Sequence, residues 1–241
     1  MTPDLAGQTV VLIGGSAGIG LETARRARAE GADVILTGRD PGRLEEAAAS
    51  VGAARTAAFD ATDSAALAAF FKSLDAPIGH VLVTAAGPRY APLLEMDPDQ
   101  VRDLLSDHVA LGLDVARNAV AKMRPGGTLL FMGGTGGRRV GHGLGIVSAA
   151  TAALPPFVAA LALEIAPVRA NLIAAGFVDT PLSATLLGDK LEERREELRR
   201  TLPIGRVVTP ADVAALAVHL MTNTALTGAT YDIDGGQQFV W

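Results

Sequence analysis

Cysteine is absent from the 241 residues of this chain. A disulfide framework and a thiolate nucleophile are both excluded by that one fact. Aromatic residues are scarce, at 4%, while alanine is abundant, so the helices are expected to pack closely through small side chains. A basic tract is missing as well. Lys and Arg number 21 against 26 Asp and Glu, for a formal net charge of −5, and a mildly acidic chain without a cationic cluster does not suit nucleic acid. No cationic segment followed by a signal-type apolar run opens the sequence. The longest apolar stretch, 152–168, is interrupted by Pro155, Pro156, Glu164 and Pro167, and reads as a buried helix rather than a membrane span. These absences leave a cytoplasmic protein with no nucleic-acid or membrane partner and no metal site.

What the sequence does contain is alternation. Short apolar runs near 9–13, 33–37, 54–59, 80–84, 127–132, 168–174 and 229–233 read as strands. Helical stretches lie between them near 18–30, 42–50, 64–73, 98–123, 146–166, 182–200 and 210–222. This order requires right-handed crossovers and a parallel sheet. The strands look apolar on both faces, as a doubly covered sheet demands. Pro125-Gly126-Gly127 reads as the stop of the helix before the fifth strand. Without a linker or a shift in composition, residues 1–241 are expected to form one doubly wound α/β domain. The densest charge run, 189–200, reads as a solvated helix with Glu192–Arg195 and Glu196–Arg200 pairs. A lid over a pocket is a compatible second role for it.

The segment Val10-Val11-Leu12-Ile13-Gly14-Gly15-Ser16-Ala17-Gly18-Ile19-Gly20 is the most specific. An apolar strand enters a glycine-rich turn within which a helix begins. Gly14 permits the tight turn, Gly18 permits close approach of a pyrophosphate, and Gly20 lets the helix lie against the sheet. The N–H groups at the helix start then face the anion, which points to a dinucleotide. The second strand ends Leu36-Thr37-Gly38-Arg39. Gly38 cannot accept hydrogen bonds from ribose hydroxyls as an acidic residue would, whereas Arg39 is placed to pair with a 2′-phosphate. The expected cofactor is therefore NADP(H). The plainer reading of Arg39 is a surface turn residue before Asp40-Pro41-Gly42.

The spacing Gly14-x-x-x-Gly18-x-Gly20 resembles that of the short-chain dehydrogenase/reductase family, with Ile13 where the family has Thr. Further marks resemble the same family: Asp60 after the third strand, Thr84-Ala85-Ala86-Gly87 where it has N-N-A-G, Leu161-Ala162-Leu163-Glu164, Arg169, Asn171, Gly176, Asp179-Thr180-Pro181 and Tyr231-Asp232-Ile233-Asp234-Gly235-Gly236. The resemblance spans essentially the whole chain. It implies a Rossmann-like, seven-stranded sheet in the order 3-2-1-4-5-6-7. The cofactor contacts that it and the turn imply are Gly14, Ser16, Ala17, Gly18, Ile19, Gly20, Arg39, Asp60, Ala61, Ala85, Ala86, Gly87, Gly176, Val178 and Thr180. Asp60 would read the adenine amino group.

The family's chemistry uses a Tyr-x-x-x-Lys pair with a Ser and an Asn. The tyrosines here are Tyr90 and Tyr231 and the lysines are Lys72, Lys122 and Lys190, so no such pair exists. Counting back from Leu161-Ala162-Leu163-Glu164 puts Val147 in the Tyr slot, Thr151 in the Lys slot and Gly134 in the Ser slot. His108 falls in the Asn slot, or Val109 if the count shifts by one. Replacement catalytic candidates are His108, His142 and Tyr90. The first is of a residue type that can pass a proton, and its plainer reading is a half-buried helix histidine bonded to a backbone carbonyl. His142 lies in a glycine-rich loop at the carboxyl edge of the sheet, and Tyr90 follows the fourth strand. Arg138 and Arg139 could bind an anionic group or stay solvated. A Ser148–His142–Asp107 triad is conceivable by composition, without a nucleophile elbow to support it.

The expected function is an NADP(H)-dependent oxidoreductase acting on a small carbonyl, alcohol or related unsaturated compound, with rebuilt acid–base groups. The alternatives are a dinucleotide-binding sensor or scaffold without turnover, and a non-redox lyase or isomerase on the same fold. The partners expected are a small-molecule substrate and further copies of the chain, in a homodimer or homotetramer. Flat Ala- and Leu-rich helix faces and the Phe239-Val240-Trp241 end would supply the contacts.

Overall fold

The computed structural model describes residues 4–75, 77–85 and 87–240. Seven strands run β1 (Thr9–Ile13), β2 (Asp33–Gly38), β3 (Arg55–Ala58), β4 (Ile78–Val83), β5 (Met123–Gly134), β6 (Arg169–Ala175) and β7 (Thr230–Ile233). They form one parallel sheet in the order β3-β2-β1-β4-β5-β6-β7, as expected. The order reverses between β1 and β4, and ligands of such sheets bind outside the strand ends at that point.

The period of two sorts each strand's side chains between two layers. Val10 and Leu12 of β1 pack with α1 (Gly18–Ala29), α2 (Pro41–Val51) and α8 (Pro210–Thr222). Val11 and Ile13 pack with α3 (Ser64–Lys72), α4 (Pro98–Ala119) and α5 (Gly145–Glu164). Small residues do bring helices close: α1 buries Gly20, Ala24 and Ala27, α8 buries Ala214 and Ala217, and Ala24, Ala27 and Ala217 share one core. By length and composition α5 could cross a membrane. Here it is a core helix that buries Val147, Leu154, Val158 and Leu161, and turns an apolar face outward.

Several expectations need correction. The helix foreseen at 182–200 is two helices, α6 (Pro181–Leu187) and α7 (Leu191–Thr201), because Gly188 breaks the run at φ 51 and a 3₁₀ turn follows it. Glu196–Arg200 is not among the ion pairs of the described residues. The pairs that form are Glu192 with both Arg195 and Arg199, at 3.1 Å each, and Arg194 with Glu197. Pro125-Gly126-Gly127 does not end a helix, since α4 stops at Ala119. The tripeptide lies early in β5, where pairing with β4 slips between Ile78 and His80. Edge strands β3 and β7 are not buried on both faces, as each has a strand on one side only.

His80 on β4 was not singled out by sequence, and it makes the fold acid-sensitive. The residue is 1% exposed. Gln8 donates its amide N–H to Asp4 O, which turns Gln8 Oε1 toward His80; the imidazole Nε2 donates to it at 2.8 Å. Nδ1 has no partner among the described residues. Burial, reinforced by the charges of Arg169 and Arg124, lowers the imidazole pKa from 6.5 to about 3. Below pH 6.5 the unfolded chain therefore takes up a proton that the folded chain refuses. Stability from this group is complete above that value and falls as pH drops toward 3. Between pH 7.5 and 5.0 the loss is expected to be about 2 kcal/mol. Urea unfolding of the wild type and His80→Gln at both pH values checks this. An equal pH response in the two proteins would refute it.

Candidate functional site

The glycine turn is held from both neighbouring strands. Gly14 leaves β1 at φ 99, and a Cβ there would lie 2.6 Å from Thr84 Oγ1. That hydroxyl donates to Gly14 O at 2.8 Å. On the other side Gly15 N donates to Thr37 O at 2.8 Å. The chain then enters α1 through Ala17, an extended residue whose side chain makes no capping bond. A hydroxyl or carboxamide normally satisfies first-turn N–H groups. With alanine in that place, Gly18, Ile19 and Gly20 begin a helix whose positive end has no side-chain acceptor of its own. Gly18, at φ 52, lies beneath the loop after β6: a Cβ would sit 3.5 Å from Thr180 Cβ. This donor set and its lack of side-chain bulk fit a phosphorylated dinucleotide.

At the far end of the turn, a Cβ on Gly38 would lie 3.0 Å from Ser16 Oγ. An acidic side chain at that position would press on Ser16, which would have to give by a few tenths of an ångström. Arg39 is exposed beside it. Across the end of β3, Asp60 Oδ1 accepts from Thr62 N at 3.0 Å and Thr62 Oγ1 at 2.8 Å. Those two bonds, with help from the Arg39 charge and against some burial, hold the Asp60 carboxyl below its usual range. Ala61 is buried next to it.

Ala85 N meets the turn from β4, bonding Ile13 O at 3.2 Å; Gly87 is exposed, and Ala86 lies outside the described residues. Thr180 forms a capping box with Ser183 at the start of α6, its hydroxyl accepting Ser183 N at 3.1 Å. Gly176 and Val178 lie lower. A Cβ on Gly176 would be 2.5 Å from Gln237 Oε1, which accepts Phe177 N at 2.7 Å, and Val178 bridges to Val208. The structure thus gathers the 14–20 turn, Ala85 and Thr180 at one place, with Arg39 and Asp60 at the ends of β2 and β3.

Of the acid–base candidates, His108 lines a small cavity. Its Nδ1 donates to Leu104 O at 2.9 Å, the bond of the plainer reading. Nε2 has no hydrogen bond among the described residues. Asp107 and His108 line a cavity of about 30 Å³ with Ala85, Leu111, Phe131 and Met132, room for a water molecule. Burial, and then the charge of Asp103, push the Asp107 carboxyl up. His142 is exposed. Tyr90 is 52% exposed, and burial of the remainder raises its phenol pKa.

Two possibilities left open by the sequence are not realised. No hydrogen bond among the described residues joins Ser148, His142 and Asp107, and Ser148 Oγ is buried without a partner among the described residues, so the triad that lacked a nucleophile elbow is not assembled. Arg138 is not held out to a ligand, because it pairs with Asp232, which also accepts from Gln238 Nε2 at 2.9 Å. Sequence reading missed a clamp. Arg195 grips Asp179 with two bonds, Nε at 2.9 Å and Nη2 at 2.7 Å, and so fastens α7 to the loop after β6. These residues are separated by a helix break, and no periodicity could have paired them.

The family model described as "Enoyl-(Acyl carrier protein) reductase" matches residues 14–238. A solved structure titled "short chain dehydrogenase/reductase family protein" is 30% identical, with a TM-score of 0.82 over 98% of this chain and 100% of the other. The chain belongs to the short-chain dehydrogenase/reductase family. It is similar to an "NADP-dependent (R)-specific alcohol dehydrogenase" of Lentilactobacillus kefiri, 31% identical over 98% of each chain. It is also similar to a protein whose structure is titled "Crystal structure of BdcA in complex with NADPH", at 26% identity and a TM-score of 0.87 over 97% of this chain and 95% of the other.

Three of the positions that counting along the sequence puts in the family's catalytic slots are neighbours in space or sequence. A Cβ on Gly134 would lie 3.5 Å from Thr151 Cγ2, and Val147 is buried one turn before Thr151. The Thr151 hydroxyl is turned back onto its own helix, donating to Val147 O at 2.8 Å.

Proposed function

We propose that this chain is an NADP(H)-dependent oxidoreductase, one domain over residues 1–241, whose substrate pocket is formed by its C-terminal half. Its substrate is a small carbonyl, alcohol or related unsaturated compound. It is an atypical member of its family, because Gly134, Val147 and Thr151 replace the usual Ser, Tyr and Lys. The observation that carries the reading is the uncapped start of α1, set among glycines of which Gly14, Gly15 and Gly20 leave no room for a Cβ. The NADP-dependent relative and the NADPH-bound neighbour support it.

When bound, the reduced nicotinamide supplies a hydride. The chain's own residues do the rest. First-turn amides of α1 would hold the pyrophosphate, Arg39 would pair with the 2′-phosphate, and Asp60 would accept from the adenine amino group. His108 would carry the transferable proton at Nε2 as the imidazolium and, on passing it to the substrate oxygen, would become the neutral tautomer whose Nδ1–H donates to Leu104 O. Tyr90 and His142, on segments joined by the Ala91 N to Gly143 O bond of 3.2 Å, frame the entrance. A positioned acid contributes about 10²–10⁴ in rate, so His108→Ala is expected to slow turnover without weakening the cofactor.

Fluorescence titration with NADPH and NADH tests the cofactor assignment. The wild type should prefer NADPH by about 10- to 100-fold, the worth of a charge-assisted phosphate contact. Arg39→Asp should remove that preference. Tighter binding of NADH by the wild type would overturn the reading. A sensor or scaffold role without turnover is favoured by one observation, the Thr151 hydroxyl spent on its own helix. NADPH consumption with any of a broad panel of carbonyl compounds would exclude it.

The enzyme is proposed to work in the cytoplasm as a homodimer or homotetramer. Ala152, Pro156, Ala159, Ala160 and Leu163 make an outward apolar face on α5, with Leu163 84% exposed. Light scattering should find a dimer or tetramer, and Leu163→Glu should reduce it to a monomer. A monomeric wild type would remove this proposal.

A further inference from the structure

Large apolar side chains left in water cluster at one place. Tyr90, Leu93, Leu94, Val140, Leu182 and Leu186 are all exposed, Leu94 completely. They belong to three segments leaving the carboxyl edge of the sheet: the stretch between β4 and α4, the loop between β5 and α5, and α6. Scattered apolar residues on a surface need no explanation, but a contiguous patch does.

These segments touch. Ala91 N bonds Gly143 O at 3.2 Å. Gly145 and Leu93 are so close that a Cβ on the glycine would lie 2.6 Å from Leu93 Cδ2. Gly87 lies 3.9 Å, measured the same way, from Leu182 Cδ2. Leu182 and Leu186 share one face of α6, being four residues apart. At its inner end α6 begins with Thr180 and Pro181, which lie against Gly18. The rim is therefore continuous with the candidate site rather than a separate face. Two nearby charges are not available to a ligand, since Arg138 is paired with Asp232 and Asp179 with Arg195.

We infer that the substrate carries an extended apolar body, an alkyl chain or ring skeleton, which lies along this rim while its polar reacting end reaches the ends of β4 and β5. The inference rests on reading this edge as the substrate site. It narrows the substrate from any small carbonyl compound to a lipophilic one. Sugars and short polyols would leave the six side chains in water and gain nothing from them.

Binding of straight-chain 1-alkanols, from butanol to decanol, tests this by isothermal titration with and without NADPH. Affinity should rise about three- to fourfold per methylene, the worth of burying one such group. The Leu93→Ser/Leu186→Ser double variant, altered at two exposed positions outside the cofactor set, should flatten that slope while keeping its urea midpoint and its NADPH affinity. No alkanol binding, or affinity independent of chain length, in a protein that still binds NADPH would overturn the inference and leave the cofactor reading standing. A normal slope in a protein that binds no NADPH would do the reverse. Should Leu94→Asp turn a dimer into a monomer, and alkanols bind only to monomer, the rim belongs to a second copy of the chain and the inference fails.

Discussion

Gly20→Ala is expected to abolish NADPH binding and to destabilise the fold, although alanine is the better helix former. Gly20 lies in the first turn of α1, where its missing side chain faces the backbone. A Cβ there would lie 2.2 Å from Gly14 O and 3.0 Å from Gly14 C. Nothing flexible stands in the way to yield, so α1 and the turn must separate. Intrinsic propensity alone would stabilise the variant by about 1 kcal/mol. Overpacking of this kind costs about 1–3 kcal/mol, and the net sign is expected to be a loss. The same separation misaligns the first-turn N–H groups from any phosphate, so NADPH affinity falls with stability. Urea unfolding and fluorescence titration read the two effects separately. A variant at least as stable as the wild type, with undiminished NADPH affinity, would show that the close approach of α1 to the turn serves no purpose.

Arg169→Met is expected to have the largest effect on stability, about 3–5 kcal/mol, the range for stripping the partner from buried polar or charged groups. Arg169 is 5% exposed on β6. Its Nη1 donates to Leu220 O at 2.9 Å, to Leu226 O at 2.8 Å and more distantly to Asn223 O at 3.3 Å. Nη2 donates to Met221 O at 2.8 Å and Nε to Gly126 O at 3.0 Å. Leu220 and Met221 end α8, whose last carbonyls have no intrahelical donor. The guanidinium thus caps a helix from inside the core, and the negative end of α8 answers its charge. Burial pulls the Arg169 pKa down, yet so strong a base stays protonated. Arg169→Lys keeps the charge but offers three donors without the planar fork, and should recover part of the loss. A loss under about 1 kcal/mol in Arg169→Met would contradict this account. NADPH affinity of the folded fraction should not change, which separates this effect from that of Gly20→Ala.

The parts of the fold legible in the sequence are those that local chemistry decides. The run Val10-Val11-Leu12-Ile13 has to be a buried strand. The glycines after it announce a turn too tight for side chains, and the alternation of such strands with helices implies the parallel order. Gly188 gave no comparable warning. A single glycine in a charged helical run is compatible with a continuous helix, and its left-handed backbone is visible in the structure alone. Arg138 and Asp232 are far apart in sequence, and their pairing depends on the loop after β5 reaching past β6 to β7. The cofactor end of the candidate site was readable because its requirement is steric and carried by glycine. The acid–base end was not. The bond from His108 Nδ1 to Leu104 O is local to α4 and was readable as a helix histidine on a backbone carbonyl, but the cavity that His108 lines with Ala85, Phe131 and Met132 depends on tertiary placement that composition does not encode.

Gly188 and the Arg195–Asp179 clamp together divide the outer wall of the pocket into a fixed post and a short door. α7 is bolted to the loop after β6, whereas the seven residues of α6 are tethered at one end by a threonine cap and at the other by a glycine pivot. A bulky ligand could thus be admitted by swinging two turns of helix, with the sheet and the phosphate end left undisturbed.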